Sequence, residues 1–333
     1  ARGYLLKHTG STDKDDVLQA LEDGWPVTTF GLQVNTLPVV GRGSPTNPAM
    51  ADLDGDGTLE INLDAIAFSP NLWRYDGTRY GVTMDNFEFG ELSDSKDAPT
   101  YTLINNGTFA RFDPEGGIDL IKGTAGFDFA LTFVQGGQRA VFDHQLSAWD
   151  TETGYYVRGF PRIVADWQFF MNPTVVDLDN DGLPEVLNGT GGYMLDAFNY
   201  KGEQPDGFPK QLGGWIISSP TFGDMDNDGK LEVVNMTRAG WLFAWNTEGI
   251  ADKSKIEWQT FGHDAHNTHN YNSPVALYNN YDATPPEEPK VESSGGCSAG
   301  GTSQSSAIFI LLGFFFVALV ARRLIRRETP PIS

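Results

Sequence analysis

Between residues 24 and 280 the apolar residues fall in short runs, each cut off by glycine, proline, aspartate or asparagine. That rhythm predicts many short β-strands joined by tight turns, an all-β fold. The two ends of the chain break it. In residues 1–23 Thr12 can cap a helix whose first turn holds Asp13, Asp15 and Asp16, with Val17, Leu18 and Leu21 as its apolar stripe and Gly24 as its stop. Residues 281–306 are rich in proline, glycine, serine and acidic side chains without apolar pattern, the composition of a solvated stalk. Residues 307–327 hold the apolar stretch 307–321 and then Arg322, Arg323, Arg326 and Arg327. They predict a transmembrane helix, short for a span, stopped by a cytoplasmic basic cluster that leaves the rest of the chain outside.

The run-and-turn pattern is periodic. Residues 47–61 (NPAMADLDGDGTLEI), 172–186 (NPTVVDLDNDGLPEV) and 219–233 (SPTFGDMDNDGKLEV) each read Pro, three residues, D-x-D-x-D-G-x-x-E and an apolar residue. A Gly-aromatic-Pro turn lies upstream of each, at Gly24-Trp25-Pro26, Gly159-Phe160-Pro161 and Gly207-Phe208-Pro209. Downstream comes a strand ending in an aromatic and a turn, at residues 72–77, 195–202 and 242–249, with a related strand at 146–154. A fourth copy, residues 111–123, aligns without a gap on 177–189. It keeps Asp113, Glu115, Gly116 and Asp119 but has Arg111 in place of the first carboxylate. A guanidinium there takes the cation's place electrostatically, so this loop is expected to bind no calcium. The alternative is a chance likeness between loops rich in glycine and aspartate.

Calcium takes six to eight hard oxygen ligands, and a D-x-D-x-D-G stretch curls so that its first, third and fifth positions point inward. Here an acid follows at position nine and leads straight into a strand. The candidate ligands are Asp52, Asp54, Asp56 and Glu60 with the Thr58 carbonyl; Asp177, Asp179, Asp181 and Glu185 with the Leu183 carbonyl; and Asp224, Asp226, Asp228 and Glu232 with the Lys230 carbonyl. Four carboxylates this close repel one another without a cation, so metal binding and local folding are expected to be coupled. The reading is about three structural calcium sites; solvated acidic turns are the plain alternative, and magnesium fits poorly.

The order of turn, strand, acidic loop and strand over Gly24 to Asn270 resembles the FG-GAP/VCBS repeat family. That resemblance implies a β-propeller with calcium loops between neighbouring strands at the blade edges. Four loop positions are fewer than a usual closed ring needs. The expectation is therefore a partial propeller over 24–280, N-terminally truncated, with a short N-terminal helix and a C-terminal transmembrane helix. Gly295, Gly296 and Cys297, followed by the apolar segment and the arginines, resemble bacterial sorting signals of the GlyGly-CTERM, MYXO-CTERM and Synergist-CTERM kinds. These imply a processing protease, cleavage near Cys297 and lipid attachment there; a plain juxtamembrane thiol is the alternative.

The formal charge of −21 excludes a nucleic-acid-binding surface, which needs a basic stripe. One cysteine excludes an internal disulfide framework. No motif for a nucleophile, a zinc protease or a phosphate-binding loop occurs. His263, His266 and His269 could hold a transition metal with Asp264, but Trp258, Phe261, Asp264 and Thr268 read better as a closing strand and turn that packs its aromatics. Trp73, Trp149, Trp167, Trp215 and Trp241 could meet a glycan or protein, although core positions suit most of them. The expected function is non-catalytic: a calcium-binding adhesion or recognition module of the cell surface, held to the membrane by its tail. The alternative is the accessory propeller of a larger secreted protease or polysaccharide-degrading enzyme, its catalytic residues upstream.

Overall fold

The computed structural model describes residues 2–10, 17–29, 46–64, 70–81, 101–102, 105–125, 144–168 and 170–275. Among them, antiparallel strands follow one another as the sequence rhythm predicts. β1 (Arg2–Gly3) pairs with β2 (Val27–Thr28). β3 (Ala49–Ala51), β4 (Glu60–Asn62) and β5 (Leu72–Trp73) make a meander, the first sheet. In the second sheet, β6 (Tyr101–Thr102) and β7 (Thr108–Ala110) both pair with β8 (Asp119–Ala125), followed by β9 (His144–Asp150) and β10 (Arg162–Ile163). The third sheet runs β11 (Thr174–Val176), β12 (Glu185–Gly189), β13 (Met194–Phe198) and β14 (Lys210–Gln211). The fourth has β15 (Thr221–Gly223), β16 (Lys230–Met236) and β17 (Leu242–Ile250). Last in sequence, β18 (Ile256–Trp258) returns to pair with β11.

Each sheet places its acidic loop between a leading strand (β3, β7, β11 or β15) and the strand that follows it. In the third and fourth sheets this loop lies at the end opposite the β12–β13 and β16–β17 turns. The sheets pack in chain order through shared apolar clusters. Ala49, Phe109, Phe112, Leu120, Val175 and Trp258 join the first three sheets, and Val176, Leu187, Phe222, Leu231, Val233 and Ile256 join the third to the fourth. Trp25 and Val27 carry the β1–β2 pair onto Ile61 and Trp73 of the first sheet. The three Gly-aromatic-Pro turns share a cis X-Pro bond. Trp25 fixes its turn to the first sheet by an Nε1–H bond to the Tyr75 carbonyl at 2.8 Å.

The segment that follows the fourth sheet bonds to β3, β11 and β15 and to the residue just past β7. Met50 of β3 donates to the His269 carbonyl at 2.8 Å and accepts from the Tyr271 N–H at 2.9 Å. Arg111, just past β7, donates its N–H to Glu257 Oε2 at 3.0 Å. Val175 and Val176 of β11 pair with Trp258 and Ile256. Phe222 of β15 exchanges bonds with Gln259, its N–H reaching the Gln259 carbonyl and its own carbonyl accepting from Gln259 Nε2 at 3.1 Å. Within the segment, Asp264 organises the turn. Its Oδ2 accepts from Thr268 Oγ1 at 2.5 Å and lies 3.2 Å from His263 Nδ1, and its Oδ1 accepts from the His266 N–H at 2.7 Å. His263 and Asp264 are both buried, with the His263 ring edge-on to Trp258. The three histidines thus belong to a packed turn; among the described residues they form no metal-ligand group.

One expectation changes. The N-terminal helix is replaced, among the described residues, by a four-residue 3-10 turn, Val17–Ala20. The reason is hydrogen-bond competition: Lys7 donates to the Ala20 carbonyl and Glu22 to the Leu5 carbonyl, so this backbone is spent on residues 5–7 instead of on itself. Leu21 is buried there, whereas Leu18 of the supposed stripe is exposed. The transmembrane segment 307–327 and Gly295, Gly296 and Cys297 lie outside the described residues. Among those described, no helix is long and apolar enough to cross a membrane.

Candidate metal loops

Strand register sets the frame of every loop. Ala51 faces Glu60, Val176 faces Glu185 and Gly223 faces Glu232, so each acidic turn closes on its ninth-position glutamate. One oxygen of that glutamate then ties the turn down. Glu60 Oε2, Glu185 Oε2 and Glu232 Oε2 accept the second-position N–H of Leu53, Leu178 and Met225 at 2.9, 2.9 and 2.7 Å. The first aspartate uses its Oδ2 on the glycine at position six, at 3.1 Å from Gly57 to Asp52, from Gly182 to Asp177 and from Gly229 to Asp224. The third-position Asp54, Asp179 and Asp226 accept the N–H of Asp56, Asp181 and Asp228, which in turn hold the N–H of Thr58, Leu183 and Lys230.

This leaves one oxygen of each pair aimed elsewhere. Ligand atoms of Asp52, Asp54 and Glu60 lie within 4.8 Å of one another, as do those of Asp177, Asp179 and Glu185 and those of Asp224, Asp226 and Glu232. Asp52 Oδ1, Glu60 Oε1, Asp177 Oδ1, Asp224 Oδ1 and Glu232 Oε1 are buried without a hydrogen-bond partner. A buried carboxylate oxygen left unpaired is costly, and a hard divalent cation is a partner that several of them can share. The residues present therefore fit calcium. The fifth-position Asp56, Asp181 and Asp228 stand outside these groups, exposed on the open side of each turn. Thr58, Leu183 and Lys230 sit where turn gives way to strand.

The electrostatics follow from crowding. Burial, and then Asp179, Asp181 and Asp177 beside it, pushes the Glu185 carboxyl up to about 8. Burial likewise raises Glu60. Neighbouring cations relieve part of the repulsion. Arg74 Nη1 lies 2.7 Å from Asp54 Oδ2 and 3.9 Å from Glu60 Oε1, and Lys255 Nζ lies 3.0 Å from Asp177 Oδ2.

The fourth loop keeps the frame and loses the site. Ala110 faces Asp119, whose Oδ2 accepts the Phe112 and Asp113 N–H groups at 3.2 Å each, as the glutamates do elsewhere. The glycine N–H now goes to Asp113 Oδ1 at 2.6 Å. Among the described residues no ion pair joins Arg111 to Asp113 or Asp119. Position four supplies a second cause. In the three acidic loops it is Gly55, Asn180 or Asn227, all with positive φ (73°, 61° and 62°). The fourth loop has Pro114, whose ring forbids that conformation. The Gly/Asn/Asn/Pro contrast is visible in the aligned sequences and separates this copy as clearly as Arg111 does.

Fold and loops together define a repeat protein of antiparallel β-sheets, each sheet built around an acidic turn. Residues 177–234 match the family model of the FG-GAP-like repeat. No curated protein matches the chain. Among solved structures, the V. cholerae biofilm matrix protein Bap1 overlays with a TM-score of 0.36 at 14% identity, covering 69% of this chain and 33% of that one. The chain thus spans about a third of the Bap1 chain. The computationally designed Ika4 protein gives 0.30 at 12% identity, over 66% of this chain and 96% of that one. BBS1N, in its complex with ARL6DN, gives 0.35 at 12%, over 66% and 59%. TM-scores below 0.5 fix no common fold with any of the three.

Proposed function

We propose that this chain is a calcium-stiffened propeller module for recognition or adhesion, exported and held at the cell surface through its C-terminal segment. The observation that carries the calcium part is the set of five buried, unpartnered carboxylate oxygens at equivalent positions of three loops. In this reading Asp52, Asp54 and Glu60, and their counterparts in the other two loops, hold the ion. The metal neutralises the loop and fixes strand register without taking part in a reaction. The apolar run and arginines after residue 307 supply the anchor, and a sorting protease acting near Cys297 would process it.

Thermal unfolding of the full chain in a chelator and in millimolar calcium tests the reading. Calcium is expected to raise the midpoint by several degrees, because a ligand bound only by the folded state stabilises it by mass action. Asp179→Ala should blunt that shift and Asp113→Ala should leave it intact. An unchanged midpoint in calcium would mean that the acidic loops are ordinary turns.

A further inference from the structure

At the end of the sheets opposite the metal loops, three turns of the third and fourth sheets present exposed apolar side chains. Trp241 is 68% exposed, Leu242 65%, Met236 45%, Ile217 42%, Tyr193 41% and Trp215 40%. Trp73 and Trp149, by contrast, are buried. The three turns are joined backbone to backbone. Arg238 donates its N–H to the Trp215 carbonyl at 2.7 Å, Thr237 donates to the Trp241 carbonyl at 2.9 Å, and Ile216 donates to the Thr190 carbonyl at 3.2 Å. The Arg238 guanidinium lies over the Trp215 ring, 5.4 Å from its centroid. These aromatics are therefore held on a fixed platform, and an exposed apolar group of this kind marks an interaction site.

Charge selects the partner. The chain has 44 acidic residues, yet none falls within 190–193, 212–218 or 236–242, where Arg238 is the one charged side chain. An anionic polymer or an anionic lipid surface calls for a basic cluster, which these turns lack, and the remaining charge of the chain repels both. What the turns offer is flat rings, a guanidinium fork and open backbone: Gly213 and Gly240 have positive φ and no atom near the position a Cβ would take. Rings of this kind stack on the C–H faces of sugars, while a guanidinium fork hydrogen-bonds to hydroxyls. We infer that Trp215, Trp241 and Tyr193, with Arg238, form a binding surface for a neutral polysaccharide.

This inference rests on the recognition reading, and one experiment separates their failures. The full chain in millimolar calcium is tested for retention on cellulose, chitin, curdlan and galactomannan, with alginate and with phosphatidylcholine and phosphatidylglycerol vesicles alongside; calcium-dependent melting is recorded on the same samples. Retention on at least one neutral polysaccharide is expected. Trp241→Ala and Trp215→Ala should each weaken it about tenfold or more, as loss of an aromatic anchor does, with the melting midpoint held. No retention on any of the four, while the calcium shift persists, overturns the glycan surface and leaves the calcium module standing. Retention indifferent to both tryptophans overturns it too, as does tryptophan-dependent binding confined to alginate or to vesicles.

Discussion

Replacing Asp119 by asparagine tests whether the fourth loop works as a turn without a cation. Asp119 is buried, its Oδ2 holds two backbone N–H groups, and its Oδ1 has no partner. Burial first, then the charge of Asp113 and more weakly that of Asp150, pushes its carboxyl from 3.8 up to about 8. An acid whose folded pKa exceeds its unfolded one costs nothing below the lower value. Its penalty grows as pH rises and is complete above the higher. At pH 7 the gap of about three units corresponds to roughly 4 kcal/mol, an upper bound because local relaxation and water relieve part of it. Asparagine keeps the acceptor for Phe112 and Asp113 and turns a neutral amide toward the Asp113 carboxylate. Asp119→Asn should therefore gain about 1–3 kcal/mol at pH 7.5, a melting increase of several degrees. The gain should vanish near pH 4 and be the same in calcium and in chelator. Urea and thermal unfolding of the full chain at three pH values measure it. A loss of stability at neutral pH, or a loss confined to calcium, would refute the reasoning, because Asp119 would then be needed as a charge or as a ligand.

Glu185→Gln should change sign with the metal: stabilising in chelator at pH 8, where the crowded carboxyl is being forced to ionise, and destabilising in calcium, where that charge is wanted. An effect of one sign in both conditions, read from paired melting curves, would contradict the ligand assignment. Lys122 Nζ lies 2.5 Å from Asp64 Oδ2 with both side chains buried, and Asp64 Oδ1 also accepts from Asn62 Nδ2 and the Asn71 N–H. Lys122→Met should cost about 3–5 kcal/mol by leaving that carboxylate unpaired, and adding Asp64→Leu should recover much of it. Urea titrations of the single and double variants decide this; an additive double variant would show that the two groups act independently.

The strands and loops were legible because both rest on local chemistry. Short apolar runs between turn residues foretold the strands that flank each acidic loop, and the nine-residue frame picked out the first, third and ninth carboxylates that converge together with the fifth, Asp56, Asp181 and Asp228, which stand outside those groups. The register that seats Glu60, Glu185 and Glu232 opposite Ala51, Val176 and Gly223 follows from loop length alone. The N-terminal helix misled because capping and an apolar stripe carry no information about competing backbone partners, here Leu5 and Lys7. Lys122 was overlooked although a clue existed. Its aligned partners are Asn188 and Asn235, both buried, so a lysine at that position enters a polar interior. Its partner Asp64 sits 58 residues upstream, outside any repeat comparison. The tryptophans could not be sorted by type at all. Trp73 and Trp149 lie on strands whose neighbours cover them, whereas Trp215 and Trp241 lie in turns, and only the fold distinguishes those surroundings.

The two ends of the third and fourth sheets are mechanically one object. β12 runs from Glu185 to the turn that carries Tyr193, and β16 runs from the loop of Glu232 to the turn that carries Trp241. Their leading partners β11 and β15 are three residues long, so few ladder bonds hold each register. A slip of one residue would send every side chain of the strand to the opposite face. Two devices oppose this. Residues 256–272 bond to β3, β11 and β15 and to Arg111 just past β7, and the acidic turn locks each leading strand to its neighbour through a carboxylate, Glu60, Asp119, Glu185 or Glu232, that ties the second-position amide. Without a cation that lock contains mutually repelling carboxylates; with one, the same groups attract a common centre. A metal bound at one end would thus bear on the placement of the aromatic turns about 20 Å away through the strands that join them.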